Sequence, residues 1–166
     1  MMIETKGQLI ARKLKSTFLT LLISSIVWSL VTIYTDEEIV YHLAEHFYVM
    51  TLFYFYYAGF IVLIYGNLVS VLTESILRKW AGRFMWLYTP ILGLAGAAIG
   101  LLLPYYPFII AGILTGICYG VLDKWIMYRW ERDSGVLIIF IALLVLFFLL
   151  WGFFYVTSPI LPTVKA

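Results

Sequence analysis

Between residues 136 and 156 the chain runs VLIIFIALLVLFFLLWGFFYV, twenty-one residues without one Asp, Glu, Lys, Arg, His, Ser, Thr, Asn or Gln. As an α-helix such a segment rises roughly 30 Å, the thickness of a bilayer's hydrocarbon core. In lipid the backbone must satisfy its own hydrogen bonds, which leaves helices and closed barrels as the only spanning forms, and this segment is too long for a barrel strand. Its Leu, Ile, Val and Phe residues each favour insertion by a few tenths of a kcal/mol, roughly. The segment inserts strongly and offers no chemistry of its own.

The rest of the chain repeats the pattern. Of 166 residues, 64% are hydrophobic and only 12% charged, where a soluble domain has about half and about a quarter. Four further apolar stretches fall near residues 17–34, 48–73, 87–103 and 108–122. The expectation is a single all-α membrane domain over residues 1–166, polytopic, with five transmembrane helices. The lipid bilayer is its first partner. Nothing supports nucleic-acid binding, because the net charge is only +2 and the basic residues are split into small clusters. Cys118 stands alone inside an apolar stretch, with no CxxC or Cys/His neighbour, and reads as a packed thiol.

Those basic clusters set the expected orientation. Four Lys or Arg precede the first stretch (Lys6, Arg12, Lys13 and Lys15), three follow the second (Arg78, Lys79 and Arg83), and three follow the fourth (Lys124, Arg129 and Arg132). Ten of eleven thus share one side, which the positive-inside rule makes cytoplasmic, with the N-terminus in and the C-terminus out. The run after the N-terminal arm has no small-x-small site before Asp36, Glu37 and Glu38, so it reads as an uncleaved first span rather than a signal peptide. A four-span version, with the third and fourth stretches merged into one buried excursion, stands beside this because both are short.

Those two stretches carry six of the twelve glycines. Gly93, Gly96 and Gly100 lie in the first and Gly112, Gly116 and Gly120 in the second, spaced to leave one face of each helix bare. Bare faces let two backbones approach closely in lipid. A tight hairpin turning through Pro104, Tyr105, Tyr106 and Pro107 is expected.

Polar residues inside the stretches are few. Ser25, Ser29 and Thr32 share a face of the first span, suited to helix packing or to lining a polar path. The second span opens with an aromatic run, Tyr48 to Phe60, that fits an interface belt. Farther along, Asn67, Ser70 and Glu74 make the most polar face of any span, close to the inner boundary, where Asp123 also falls. These four form the candidate polar site, with Asn67 to orient a ligand, Ser70 to add a hydroxyl and Glu74 to supply charge. The bland account has Asn67 and Ser70 bonding neighbouring helices and Glu74 pairing with Arg78 at i, i+4. Both acids are expected where water reaches them.

In the first loop, Glu38, His42 and His46 fall at i, i+4 and i+8 and form a weak metal-ligand pattern. The zinc-protease pattern HExxH is absent because positions 43 and 44 are Leu and Ala, and a solvated surface helix is the simpler reading. No nucleophile elbow, Walker loop or dinucleotide fingerprint occurs. No cofactor is expected, and no enzyme.

The basic arm, five short spans, abundant Tyr and Phe, and Tyr65-Gly66 and Tyr119-Gly120, each preceding an acid and a basic cluster, make the chain similar to small uncharacterised multi-pass membrane proteins of Firmicutes. The resemblance implies a multi-pass protein of a bacterial plasma membrane and transfers no functional residue. The leading functional expectation is a non-enzymatic accessory or oligomeric component, a homo-oligomer or the companion of another membrane protein, acting through helix contacts. The alternative is a small-solute permease or channel formed by an oligomer.

Overall fold

The computed structural model describes residues 5–35, 42–80, 86–102, 106–129 and 134–158. Every element among them is helical: α1 Lys6–Thr35, α2 Leu43–Ile61, α3 Asn67–Trp80, α4 Tyr88–Leu101, α5 Tyr106–Arg129 and α6 Ser134–Thr157. A π-turn, Val62–Gly66, joins α2 and α3 into one rod, so the described residues form five helices. Four of these are long and apolar enough to cross a membrane, and α4, at 14 residues, is a shorter apolar helix.

The boundaries depart from expectation in one instructive way. Helix α1 begins at Lys6, eleven residues before the first apolar stretch, and carries Arg12 and Lys13 within the bundle rather than in a loose arm. Likewise α5 continues through Asp123 and Lys124 to Arg129. Helical hydrogen bonding continues into polar sequence here because the polar side chains find partners on other helices.

Helices α4 and α5 form the expected hairpin, and its six glycines are the contact. A methyl group added at Gly96 would collide with the Gly112 backbone carbonyl, and one at Gly112 with that of Gly96. At Gly116 it would meet the carbonyl of Leu92, and at Gly100 it would lie 2.5 Å from Ile109 Cα. Gly93 abuts Ile117 and Gly120 abuts Thr89. Backbone-to-backbone contact at this distance gains dispersion and Cα–H···O attraction that side chains would prevent. Residues 103–105 of the connection lie outside the described residues.

Two apolar layers hold the remaining helices. One gathers Leu21, Val62, Leu77, Tyr88, Leu92 and Tyr119, and the other Ile26, Ile33, Ala44, Phe47 and Phe154. In the second, Phe47 of α2 stacks on Phe147 at 5.5 Å and meets Phe154 at 5.3 Å, which anchors α6. Otherwise α6 is peripheral. Phe154 is its one buried side chain among the described residues.

Candidate functional site

The site is assembled from the first turns of α1 upward. Arg12, Ser16, Thr20 and Ser24 recur every fourth residue, and Lys13 and Thr17 flank them, so a stripe of polar groups runs up one side of α1. All six side chains are buried. The stripe meets α3 on one side and α5 on the other, where Glu74 and Asp123 wait.

Arg12 is fully enclosed and forks between the two acids. One guanidinium nitrogen donates to Asp123 Oδ2 at 3.0 Å and the other to both oxygens of Glu74 at 3.0 and 2.9 Å. A planar fork with fixed donor directions suits such double carboxylate recognition. Lys13 Nζ lies 2.7 Å from Asp123 Oδ2, 2.9 Å from Glu74 Oε2, 2.5 Å from Ser70 Oγ and 2.9 Å from the Tyr88 hydroxyl. Tyr88 enters from the first turn of α4, donates to Asp123 Oδ2 at 2.6 Å and shares a 2.6 Å hydrogen bond with Ser70. Ser16 reaches the other Asp123 oxygen at 3.4 Å while also donating to the Arg12 carbonyl.

A second knot sits one turn deeper, at the π-turn. The Asn67 backbone N–H takes the carbonyls of Val62 and Ile64 instead of the Leu63 carbonyl, its regular acceptor four residues back. The Asn67 side-chain amide then donates to Leu63 O at 2.9 Å. Its Oδ1 accepts from Tyr119 of α5 at 2.7 Å and from Thr17 of α1 at 3.1 Å. The irregular turn thereby satisfies its backbone and aims α3's polar face at α1 and α5 together. Locating a π-turn beside the most polar contact follows the general tendency of such turns to accompany functional or strained sites.

Toward the polar end, Arg78 donates to Glu74 Oε1 at 2.6 Å, its side chain 40% exposed. Lys124 lies 4.1 Å over the Tyr88 ring and 3.9 Å from Glu74 Oε1, beyond hydrogen-bonding range. Its Nζ is buried without a hydrogen-bond acceptor among the described residues.

Asn67, Ser70, Glu74 and Asp123 therefore do converge, but through intermediaries. Arg12 and Lys13 bridge the acids, Tyr88 joins Ser70 to Asp123, and Tyr119 and Thr17 hold Asn67. The expectation that water reaches both acids is corrected: Glu74 is 2% exposed and Asp123 not at all. The Glu74–Arg78 pair forms, yet it is one of several contacts Glu74 makes. Ser25, Ser29 and Thr32 pack rather than line an opening. Ser25 donates to Leu22 O, Ser29 to Phe47 O at 3.0 Å, and Thr32 to Trp28 O while sharing a 2.7 Å hydrogen bond with the Tyr54 hydroxyl.

Sequence reasoning assigns none of Arg12, Lys13, Ser16, Tyr88 and Tyr119 to the site, and reads Arg12 and Lys13 as topological anchors because they stand before an apolar run. The four-residue repeat linking Arg12 to Ser24 was the available signal. Of the metal pattern, Glu38 lies outside the described residues. His42 is exposed at the start of α2, with φ 57°, 3.8 Å from Glu45, and His46 sits one turn on. Among the described residues no group of three His, Cys, Asp or Glu side chains is placed to hold a metal ion.

The fold and the site together define a class: an all-helical protein with several helices apolar enough for a membrane, closed at one end by a buried ion cluster. No family model, curated protein or solved structure matches the chain, so the chemistry of the cluster is argued from its own residues.

Proposed function

We propose that the chain is a non-enzymatic integral membrane protein of a bacterial plasma membrane, crossing it five times with the N-terminus inside, and that it works through helix contacts as an accessory or oligomeric component. The observation that carries this is the division of labour among the helices. The cluster ties α1, α3, α4 and α5 into one unit, and the glycine faces are spent inside the α4–α5 hairpin. Helix α6 is held mainly through Phe147 and Phe154 and leaves Leu137, Ile138, Ile141, Val145, Leu146, Phe148 and Leu149 exposed. An apolar helix so loosely held by its own chain is the natural contact for another membrane helix.

Depth supports the arrangement. Phe18 of α1 meets Phe140 of α6 at 5.8 Å, so Arg12, about 9 Å nearer the start of α1, is level with the first residues of α6, at headgroup depth. From Asp123 back to Tyr106, α5 rises about 26 Å, a little short of the ~30 Å core. The hairpin crosses with its tip close under the far headgroups.

Cysteine substitutions in a Cys118→Ala background, at Leu146 on α6 and at the buried Ile126 of α5, crosslinked in native membranes, test the contact. A discrete adduct from L146C and none from I126C is expected; no adduct from any exposed α6 position overturns the proposal. Labelling from outside should reach a cysteine at His42 and not one at Lys79. The same side for both refutes the topology.

The permease reading keeps one specific support, the row of buried hydroxyls on α1 that leads inward from the cluster, with Thr20 Oγ1 unpaired among the described residues. Solute flux in proteoliposomes that Asn67→Ala abolishes would favour it.

A further inference from the structure

We infer that Lys124 is the receptor for a phosphate-bearing anion at the polar end of the cluster. Among the described residues four cations, the enclosed Arg12, Lys13 and Lys124 and the part-exposed Arg78, meet two buried carboxylates, Glu74 and Asp123. Both oxygens of Glu74 and Oδ2 of Asp123 already accept from Arg12, Lys13, Arg78 and Tyr88 at 2.6 to 3.0 Å. Lys124 is left at 3.9 Å from the nearest of them, with its three N–H donors without acceptors among the described residues and its side chain only 15% exposed.

An ammonium in that position is costly unless an acceptor arrives from outside. The Tyr88 ring face at 4.1 Å steadies the charge but supplies no lone pair. A partner that carries negative charge and presents oxygens to a point donor answers that need, which is the chemistry of a phosphate. Arg78, bound to the same Glu74 oxygen and 40% exposed, extends the positive field toward solvent and provides a second arm.

Two sources have this chemistry, the phosphodiester of an anionic lipid and a free phosphate. The headgroup depth derived above makes the lipid the one already at hand, and to that extent the inference rests on the membrane reading. The labelling of His42 and Lys79 checks that reading separately, so the two fail in distinguishable ways.

The full chain in nanodiscs of phosphatidylcholine, with and without phosphatidylglycerol, and in phosphatidylcholine with added inorganic phosphate against chloride, separates the sources by thermal unfolding. Saturable stabilisation by phosphatidylglycerol is expected, with the half-saturating fraction raised about tenfold or more in Lys124→Gln, restored in Lys124→Arg and unmoved in Lys79→Gln. Stabilisation by inorganic phosphate alone, lost in the same variant, assigns the site to a free anion. No stabilisation by either, or equal loss in Lys79→Gln and Lys124→Gln, overturns the proposal, the latter because it reduces the effect to general surface attraction.

Discussion

Asp123 is the residue whose loss tests the cluster most directly. It is wholly buried, and its Oδ2 takes donors from Arg12 at 3.0 Å, Lys13 at 2.7 Å and Tyr88 at 2.6 Å. Asp123→Asn preserves the shape and removes the charge, leaving Arg12, Lys13, Lys124 and Arg78 to share Glu74. Breaking a buried ion pair from one side costs about 3 to 5 kcal/mol, because the abandoned charge stays desolvated. An exposed pair would lose under about 1 kcal/mol. Lys13→Met removes one cation and leaves both acids paired, with Arg12, Arg78 and Lys124 still beside them, so it is expected to cost less, about 1.5 to 3 kcal/mol for the charged hydrogen bonds. In the double variant the cation excess returns to that of the wild type, and the two losses should fall short of their sum by about 2 kcal/mol. Unfolding in bicelles, followed by helicity, measures all four corners of the cycle. A loss in Asp123→Asn of about 1 kcal/mol or less, or additivity to within about 0.5 kcal/mol, would refute the reasoning.

Other outcomes follow from the same geometry. Gly96→Ala drives a methyl into the Gly112 carbonyl and should destabilise the hairpin by about 1 to 3 kcal/mol. Gly152→Ala, where nothing lies within 4 Å, should be neutral or gain up to about 1 kcal/mol in the same unfolding assay. Deleting Ile64, an exposed residue of the π-turn, should convert the turn to regular helix and keep α3 in phase, leaving the Arg12–Glu74 coupling of a double-variant cycle intact. Deleting Val71 from the regular part of α3 should rotate Glu74 by about 100° and abolish that coupling. Tyr88→Phe removes a donor to Asp123 and an acceptor of Lys13 and should cost about 1.5 to 3 kcal/mol, again read by unfolding.

Much of the architecture was legible in one dimension. Uncharged stretches of spanning length must be helical in lipid whatever surrounds them, and glycines at every third or fourth position have only one economical use there. The apolar stretches of the sequence accordingly reappear as five helices, and the two glycine faces meet each other. Asn67, Ser70, Glu74 and Asp123 were legible as a group because polar side chains are rare on spanning helices and their phase put three of them on one face.

What composition and periodicity could not supply was which cations those acids would meet. Arg12 is 111 residues from Asp123 and 62 from Glu74, and a Lys or Arg ahead of an apolar run has the same local pattern whether it anchors in water or turns inward. Helix formation in lipid is a local requirement that each segment settles alone. Pairing of buried charges depends on the distances between segments, and those exist only once α1, α3, α4 and α5 have packed. The sequence by itself determined that the chain is helical and where its backbones touch; the tertiary structure alone decided that its N-terminal cations close the bundle.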